Sequence, residues 1–396
     1  MKQRLKICHV ITRMIIGGAQ ENTLLTCRGL VEKGHDVTLL TGPTDGPEGK
    51  LLEKYQVPGL RIVEEPTLVR EISPWTDLRS IFRLQKFFEK ERFDVVHTHS
   101  SKAGVSGRIA ARRAGVPLVM HTVHGQAFHQ YQSRLKNAIY ILGEKVAARY
   151  CDRILAVAQA MIDQCVAAGV APREKYAVNY SGMDLQSFLD AKPDPELRAR
   201  LGIPAGVPVV GKIARLFELK GYEHLIEAAP AIVQAVPNVR FLIVGDGKHG
   251  PLYKQMIAEK GLTSHFAFAG LVPPHEVPRY TALMDMLVHL SLREGLPRTV
   301  VQALAAGKPA VGYALDGTPE VILDGKTGFL CQPGDVRAVE KAVIRLLTEP
   351  GLAGTMGSAG RELVRVRFDW HTMTDQIEQE YFSHFEKQPR MNANGR

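Results

Sequence analysis

Residues 5–42 read LKICHVITRMIIGGAQENTLLTCRGLVEKGHDVTLLTG, and this stretch decides the fold class. An apolar, β-rich run at 5–12 is followed by a glycine loop at Gly17 and Gly18. A helical pattern covers 21–33, Lys33-Gly34 stops it, and a second β-rich run occupies 35–42. Parallel strands need a long crossover between them, so this order reads as a βαβ unit. The theme repeats at 94–99, 117–124, 153–158 and 176–179, with helical stretches between. Alternating strands and helices predict an α/β, doubly wound parallel sheet.

The pattern loosens over 181–194, where Ser181-Gly-Met-Asp and Asp190-Ala-Lys-Pro-Asp-Pro-Glu read as a linker. A helix at 196–201 leads into a second series of strands at 209–214, 239–245, 266–270, 286–290, 310–313 and 328–331. The stretch 370–387 reads as one more helix, and the tail 388–396, without apolar pattern, is expected to fray. The organisation expected is a Rossmann-like domain over 1–185, a second over 186–370, and a final helix and tail over 371–396. Ligands of open parallel sheets sit outside the carboxyl ends of the strands. Two such domains facing each other predict a central cleft, with functional residues just after strands.

Composition narrows the rest. The chain has 396 residues, 45% hydrophobic and 23% charged, which excludes a disordered, collagen-like or coiled-coil chain. No apolar run reaches the ~18–20 residues that span a bilayer, and no apolar h-region follows Met1, so the expected location is the cytoplasm. Cys8, Cys27, Cys151, Cys165 and Cys331 are scattered and contain no C-x-x-C pair, which fits neither a disulfide framework nor a zinc site. Fifty basic against 41 acidic side chains leave a charge of +9, suited to polyanionic partners. That charge is spread along the chain without an aromatic-interleaved basic motif, which argues against nucleic acid.

Unusual residues fall where strands end. Gly17-Gly18-Ala19-Gln20 opens a helix, where backbone amides attract anions, although the spacing is not G-x-G-x-x-G and a plain turn is the alternative. His97 and His99 lie two apart on one strand face; no acidic or cysteine partner completes a metal set, and packing is the simpler role. His124-Gly125 follows the next strand, as either a ligand-facing or a structural histidine. Gly211-Lys212-Ile-Ala-Arg215 and Lys220-Gly221 offer a guanidinium fork and a point charge suited to a diphosphate, or a solvated surface pair. The strongest stretch is Ser291-Leu-Arg-Glu294-Gly295-Leu296-Pro297-Arg298-Thr-Val-Val-Gln302, continuing to Gly307-Lys-Pro309. It puts an acid before a helix starting near Pro297, where phosphate can bind, or where the acid merely complements the helix. Pro319-Glu320 follows a further strand and turn.

Taken in order and spacing, these motifs resemble the retaining glycosyltransferases of family 4, with the GT-B fold. The matching stretches run from Lys6 to about Tyr381 and include Asp94-Val-Val-His-Thr-His, Ser181-Gly-Met-Asp184 with Phe188, and Val244-Gly-Asp-Gly. The resemblance implies a nucleotide-sugar donor held mainly by the second domain. Arg215 and Lys220 match the pair on the donor diphosphate, and Glu294 matches the first glutamate of the E-x7-E motif, on the transferred sugar. His124 matches a first-domain histidine near that sugar, and Gly18, beside Gly17, the glycine whose amide touches phosphate. Gly295, Leu296, Pro297 and Arg298 lead into the helix whose first amides would meet sugar or phosphate; Gln302 and Glu320 complete the expected donor site. The terminal helix is implied to pack on the first domain.

Gln302 departs from the pattern, standing where the second glutamate usually binds ribose; an amide keeps the acceptor oxygen and loses the charge. Altered donor affinity is expected, not lost activity. Arginine, lysine and a helix N-terminus can stabilise a leaving diphosphate without a metal, and no Asp-x-Asp pair is placed for a divalent ion, so neither metal nor cofactor is expected. The acceptor is expected on the first domain, as a sugar or a lipid-linked saccharide of cell-surface polysaccharide. Basic residues there (Lys102, Arg108, Arg112, Arg113) precede a stretch at 133–150 that pairs an apolar face with Arg134, Lys136, Lys145 and Arg149. Such a helix either lies on anionic lipid at the inner face of the cytoplasmic membrane or faces the core with a solvated basic side. The rival readings are a sugar-nucleotide epimerase of the same fold and a non-catalytic nucleotide-sugar-binding relative.

Overall fold

The computed structural model describes residues 4–44, 49–71 and 73–387. The first unit alternates strand and helix. Its elements are β1 (Lys6–Ile11), α1 (Gly18–Glu32), β2 (Asp36–Thr41), α2 (Leu51–Lys54), β3 (Arg61–Glu64), α3 (Pro74–Glu91) and β4 (Val95–His99). There follow α4 (Ser101–Arg113), β5 (Leu118–Val123), α5 (Arg134–Ala148), β6 (Arg153–Ala156), α6 (Gln159–Ala167) and β7 (Tyr176–Val178). The strands form one parallel sheet in the order β3-β2-β1-β4-β5-β6-β7. The central strands are buried on both faces, as a sheet covered by crossover helices must be. Edge strand β3 escapes the sequence reading because its four residues, Arg-Ile-Val-Glu, are mostly exposed and carry no apolar run.

The second unit starts earlier than the expected linker allows. Its elements are α7 (Gln186–Leu189), α8 (Pro195–Arg200), β8 (Val209–Ile213), α9 (Tyr222–Ala235), β9 (Arg240–Val244), α10 (Gly250–Glu259), β10 (Phe266–Gly270) and α11 (Val277–Ala282). It continues with β11 (Met286–His289), α12 (Arg298–Ala305), β12 (Ala310–Tyr313), β13 (Gly328–Cys331), α13 (Val336–Thr348) and α14 (Leu352–Arg367). All six strands are parallel, in the order β10-β9-β8-β11-β12-β13. The turn-rich stretch read as a linker is instead packed: Phe188 is buried, Arg361 donates to the Leu189 carbonyl, and Asp194 caps α8 and pairs with Arg279.

The chain returns after Asp369. Helix α15 (Trp370–Lys387) belongs with the residues up to Met183, while Asp184–Asp369 form the second unit. Trp370, Met373, Ile377 and Tyr381 recur at helical spacing and are buried in the first unit's core. Burying each contributes about 1.5–3 kcal/mol. His35 and Lys33 hold Glu378 at 3.0 and 3.3 Å, and Gly29 of α1 leaves room for Thr374. All five cysteines are buried and free. The tail beyond Lys387 lies outside the described residues.

Candidate functional site

In the second unit the structure brings Lys220 and Glu294 together. Lys220 Nζ donates to Glu294 Oε1 at 2.6 Å. A constrained turn aims the lysine: Leu219 and Gly221 on either side have φ of 63° and 66°, a region a leucine rarely adopts. The Leu292 amide binds the Leu219 carbonyl at 2.8 Å, tying that turn to the segment after β11. Glu294 is fixed in turn, since its amide donates to Asp316 Oδ2 at 2.8 Å and Gly317 donates to the Gly295 carbonyl at 3.2 Å. Burial pulls the Glu294 carboxyl upward, but the charge and hydrogen bond of Lys220 outweigh it and hold the group below its ordinary value, ionised.

Two residues that sequence reasoning left without a role stand beside this pair. His289 lies at the end of β11 with Nε2 3.7 Å from Glu294 Oε1; burial lowers its pKa to about 4, so it is neutral. Lys212 of β8 is buried, with its ammonium 4.8 Å from the centre of the Tyr222 ring. Burial, then Lys220, lowers its pKa to about 7. The only sequence signal was a lysine inside an otherwise apolar strand.

The remaining expected donor residues are arranged around the loop, not packed on the pair. Arg215 is exposed after β8, its guanidinium 5.1 Å from the Phe217 ring centre. Pro297 is the cap of α12, not its first residue, and Arg298 starts the helix. Val300, Val301 and Leu304 are buried and fix the helix, whose first amides follow directly from Glu294, Gly295 and Leu296. Gln302 is partly exposed on α12, and Glu320 lies in a short 3-10 turn, its carbonyl accepting from Arg367. An ammonium, a nearby guanidinium and a helix N-terminus suit an anion that gains charge as it leaves.

In the first unit Gly17 caps α1 and Gly18 is its first residue, so the helix starts three residues before the expected position. His124 follows β5 and lines a cavity of about 300 Å³ with Ala19, Ser100 and Ser101. A second cavity of about 550 Å³ shares Ser100 and Ser101 and opens among α3, α4 and α5. Ile81, Ile139 and Tyr140 line it, together with Arg13, Arg70 and Lys102. His97 and His99 are joined by His9 of β1, with nitrogens of the three within 4.8 Å. Every ring nitrogen of the three already serves a hydrogen bond, to another of these histidines, His124, Tyr381 or Thr122. The trio is thus joined in one hydrogen-bonded cluster.

The basic segments divide. Arg108 is buried and pairs with Glu144 at 2.7 Å, and Arg112 pairs with Asp152 at 2.5 Å, so neither adds to a basic surface patch. Helix α5 buries Ala147 and Ala148 at its end, but its larger apolar residues do not face the core: Leu135, Ile139 and Leu142 are 73%, 58% and 63% exposed. On α3, Trp75, Leu78 and Phe82 are exposed too.

A family model described as glycosyl transferases group 1 matches residues 193–363, and one described as a glycosyl transferase 4-like domain matches residues 17–182. The Escherichia coli UDP-Gal:alpha-D-GlcNAc-diphosphoundecaprenol alpha-1,3-galactosyltransferase is 30% identical over 96% of this chain and 97% of its own. The GDP-mannose-dependent alpha-(1-6)-phosphatidylinositol monomannoside mannosyltransferase of Mycolicibacterium smegmatis is 35% identical over 48% of this chain and 52% of its own. The crystal structure of Anabaena Alr3699/HepE in complex with UDP matches with a TM-score of 0.79 at 25% identity, over 96% of this chain and 100% of that one.

Proposed function

The chain belongs to the family-4 glycosyltransferases of the GT-B fold, and from that premise we propose a retaining, metal-independent transfer of a hexose from a UDP-sugar to a lipid-linked saccharide. Transfer from a nucleotide sugar in polysaccharide or glycolipid synthesis is what its relatives do, and neither epimerisation nor binding alone has such support. A uridine nucleotide is favoured by two relatives matched over nearly the full chain, one using UDP-Gal and one solved with UDP. The α linkage formed by the Escherichia coli enzyme supports retention.

The Lys220–Glu294 pair before α12 carries the reading. Lys220 and Arg215 take the diphosphate, helped by the amides of Gly295, Leu296 and Arg298, and Gly17 and Gly18 offer helix-start amides to phosphate in the first unit. Glu294 accepts from hydroxyls of the transferred sugar, Gln302 and Glu320 meet the nucleoside side, and His124 lies near the sugar. As the sugar–phosphate bond breaks, charge grows on the phosphate oxygens, and these fixed cations and dipoles meet it without a metal. The departing phosphate accepts the proton of the acceptor hydroxyl.

The acceptor enters through the cavity among α3, α4 and α5. Its apolar wall suits a lipid, and Arg13 and Arg70, beside a Lys102 paired with Asp77, suit a diphosphate. The exposed apolar residues of α3 and α5, flanked by Arg134, Lys136, Lys145 and Arg149, rest on anionic lipid at the inner face of the cytoplasmic membrane. No helix among the described residues is long and apolar enough to cross that membrane.

Thermal denaturation with a panel of nucleotide sugars, with and without EDTA, tests the donor. Saturation at ~100 times the dissociation constant adds about 2.7 kcal/mol of stability. The expected result is a shift with a UDP-hexose that survives EDTA; a shift abolished by EDTA rules out metal-free binding, and no shift with any UDP-sugar rules out the donor.

A further inference from the structure

A buried line of side chains runs through the first unit from α15 to His124. The Tyr381 hydroxyl lies 2.6 Å from His97 Nδ1 and 3.5 Å from His9 Nε2. His9 Nδ1 is 2.8 Å from His99 Nε2, and His99 Nδ1 is 2.9 Å from His124 Nε2. Thr122 Oγ1 stands 2.7 Å from His97 Nε2. The rings of His9 and His99, and of His99 and His124, are stacked. Tyr381, His9, His97 and His99 are wholly buried, and burial keeps these three imidazoles neutral.

A neutral imidazole has one N–H and one bare nitrogen. His9 and His99 each use both nitrogens, so each donates on one side and accepts on the other. All protons along the line therefore point the same way. The phenol has one hydrogen and two imidazole neighbours; 2.6 Å to His97 Nδ1 is the spacing of an O–H donor and shorter than an N–H donor keeps, so the phenol donates there. His9 Nε2–H then donates to the phenol oxygen, His99 Nε2–H to His9 Nδ1, and His124 Nε2–H to His99 Nδ1. Were the phenol hydrogen turned to His9, every one of these protons would reverse.

We infer that Tyr381, through His9 and His99, is a positioning residue that holds His124 in its Nε2–H tautomer, with Nδ1 left as the nitrogen that accepts. Whatever meets Nδ1 of the neutral ring must then donate, and a sugar hydroxyl is such a group. This last step rests on the proposed place of His124 near the transferred sugar; the tautomer does not.

Long-range 1H–15N spectra of the full chain, labelled at histidine and held near neutral pH, identify the protonated nitrogen of each ring. The wild type should give Nε2–H for His9, His97, His99 and His124. Tyr381→Phe keeps the ring and loses only the hydroxyl. It should turn His9, His99 and His124 to Nδ1–H and lower kcat about 10-fold with little change in donor KM. His9→Leu cuts the line one link nearer and should turn His99 and His124 in the same way, which decides the matter if the tyrosine variant does not fold. An unchanged His124 tautomer in the folded variants overturns the inference. A reversed tautomer with wild-type turnover upholds the line but overturns the place of His124 at the sugar.

Discussion

Lys220 and Lys212 show how position changes what one side chain type does. Lys220 is held by Glu294 at 2.6 Å, with its side chain still partly exposed. Replacing it with alanine removes the cation proposed to meet the leaving phosphate and breaks its ion pair with Glu294; turnover is expected to fall on the order of 10²–10³-fold. Steady-state kinetics of Lys220→Ala check this, and near-normal kcat would remove the residue from the site. Lys212 has no room for its hydration shell. Its folded pKa of about 7 lies below the ordinary 10.5, so between those values the unfolded chain binds the extra proton and stability rises with pH. Lys212→Met should therefore be more stable than wild type below pH 7, with the gain shrinking as pH climbs towards 10.5. Denaturant midpoints across that range test it; a constant difference would mean that Lys212 does not titrate there.

At the scale of elements, α5 separates two readings that its sequence left open. An apolar stripe flanked by cations looks the same whether it meets a core or a lipid surface. Leu135 and Leu142 turn out 73% and 63% exposed, and α3 adds Trp75 at 84%. Scattered exposed apolar residues are ordinary, but clustered ones at helical spacing mark an interaction surface. Leu135→Glu with Leu142→Glu should abolish sedimentation with anionic vesicles and leave folding stability within about 0.5 kcal/mol, because neither side chain is packed. Loss of stability instead would show that the stripe is covered within the protein. The turn at 219–221 and the cap at Asp316 are the other element-scale lesson. Both aim residues from different chain segments at one spot through positive-φ geometry, which residue spacing alone does not reveal.

For the whole molecule, the buried histidines set a pH limit. His9, His97, His99 and His121 are all held well below their usual 6.5 by burial, His9 at about 3. As pH falls through 6.5 the unfolded imidazoles gain protons and the folded ones do not. Stability is full above that value and is lost below it, at a limiting slope of about 5 kcal/mol per pH unit for four such groups. Hydrogen exchange in β1 and β4 should accelerate steeply between about pH 6.5 and pH 5; a flat profile there would mean that the cluster is already charged or open to water.

Much of this protein was determined by its sequence alone. Both parallel sheets, twelve of their thirteen strands and the ends of most of them follow from runs of apolar, β-branched residues punctuated by glycine, because buried parallel strands permit little else. Glu294, Lys220, Arg215 and His124 stood out because they follow strands, where helix dipoles and loop amides gather. Tertiary structure alone decided which distant residues touch. It brought His9 and Tyr381, 372 positions apart, onto one hydrogen-bonded line and set Lys212 beside Tyr222 without a carboxylate within ion-pair reach among the described residues. It also packed the supposed linker at 181–194 and exposed the apolar face of α5. Local pattern specifies an element's face but not its partner, and charge state, tautomer and burial belong to the partner.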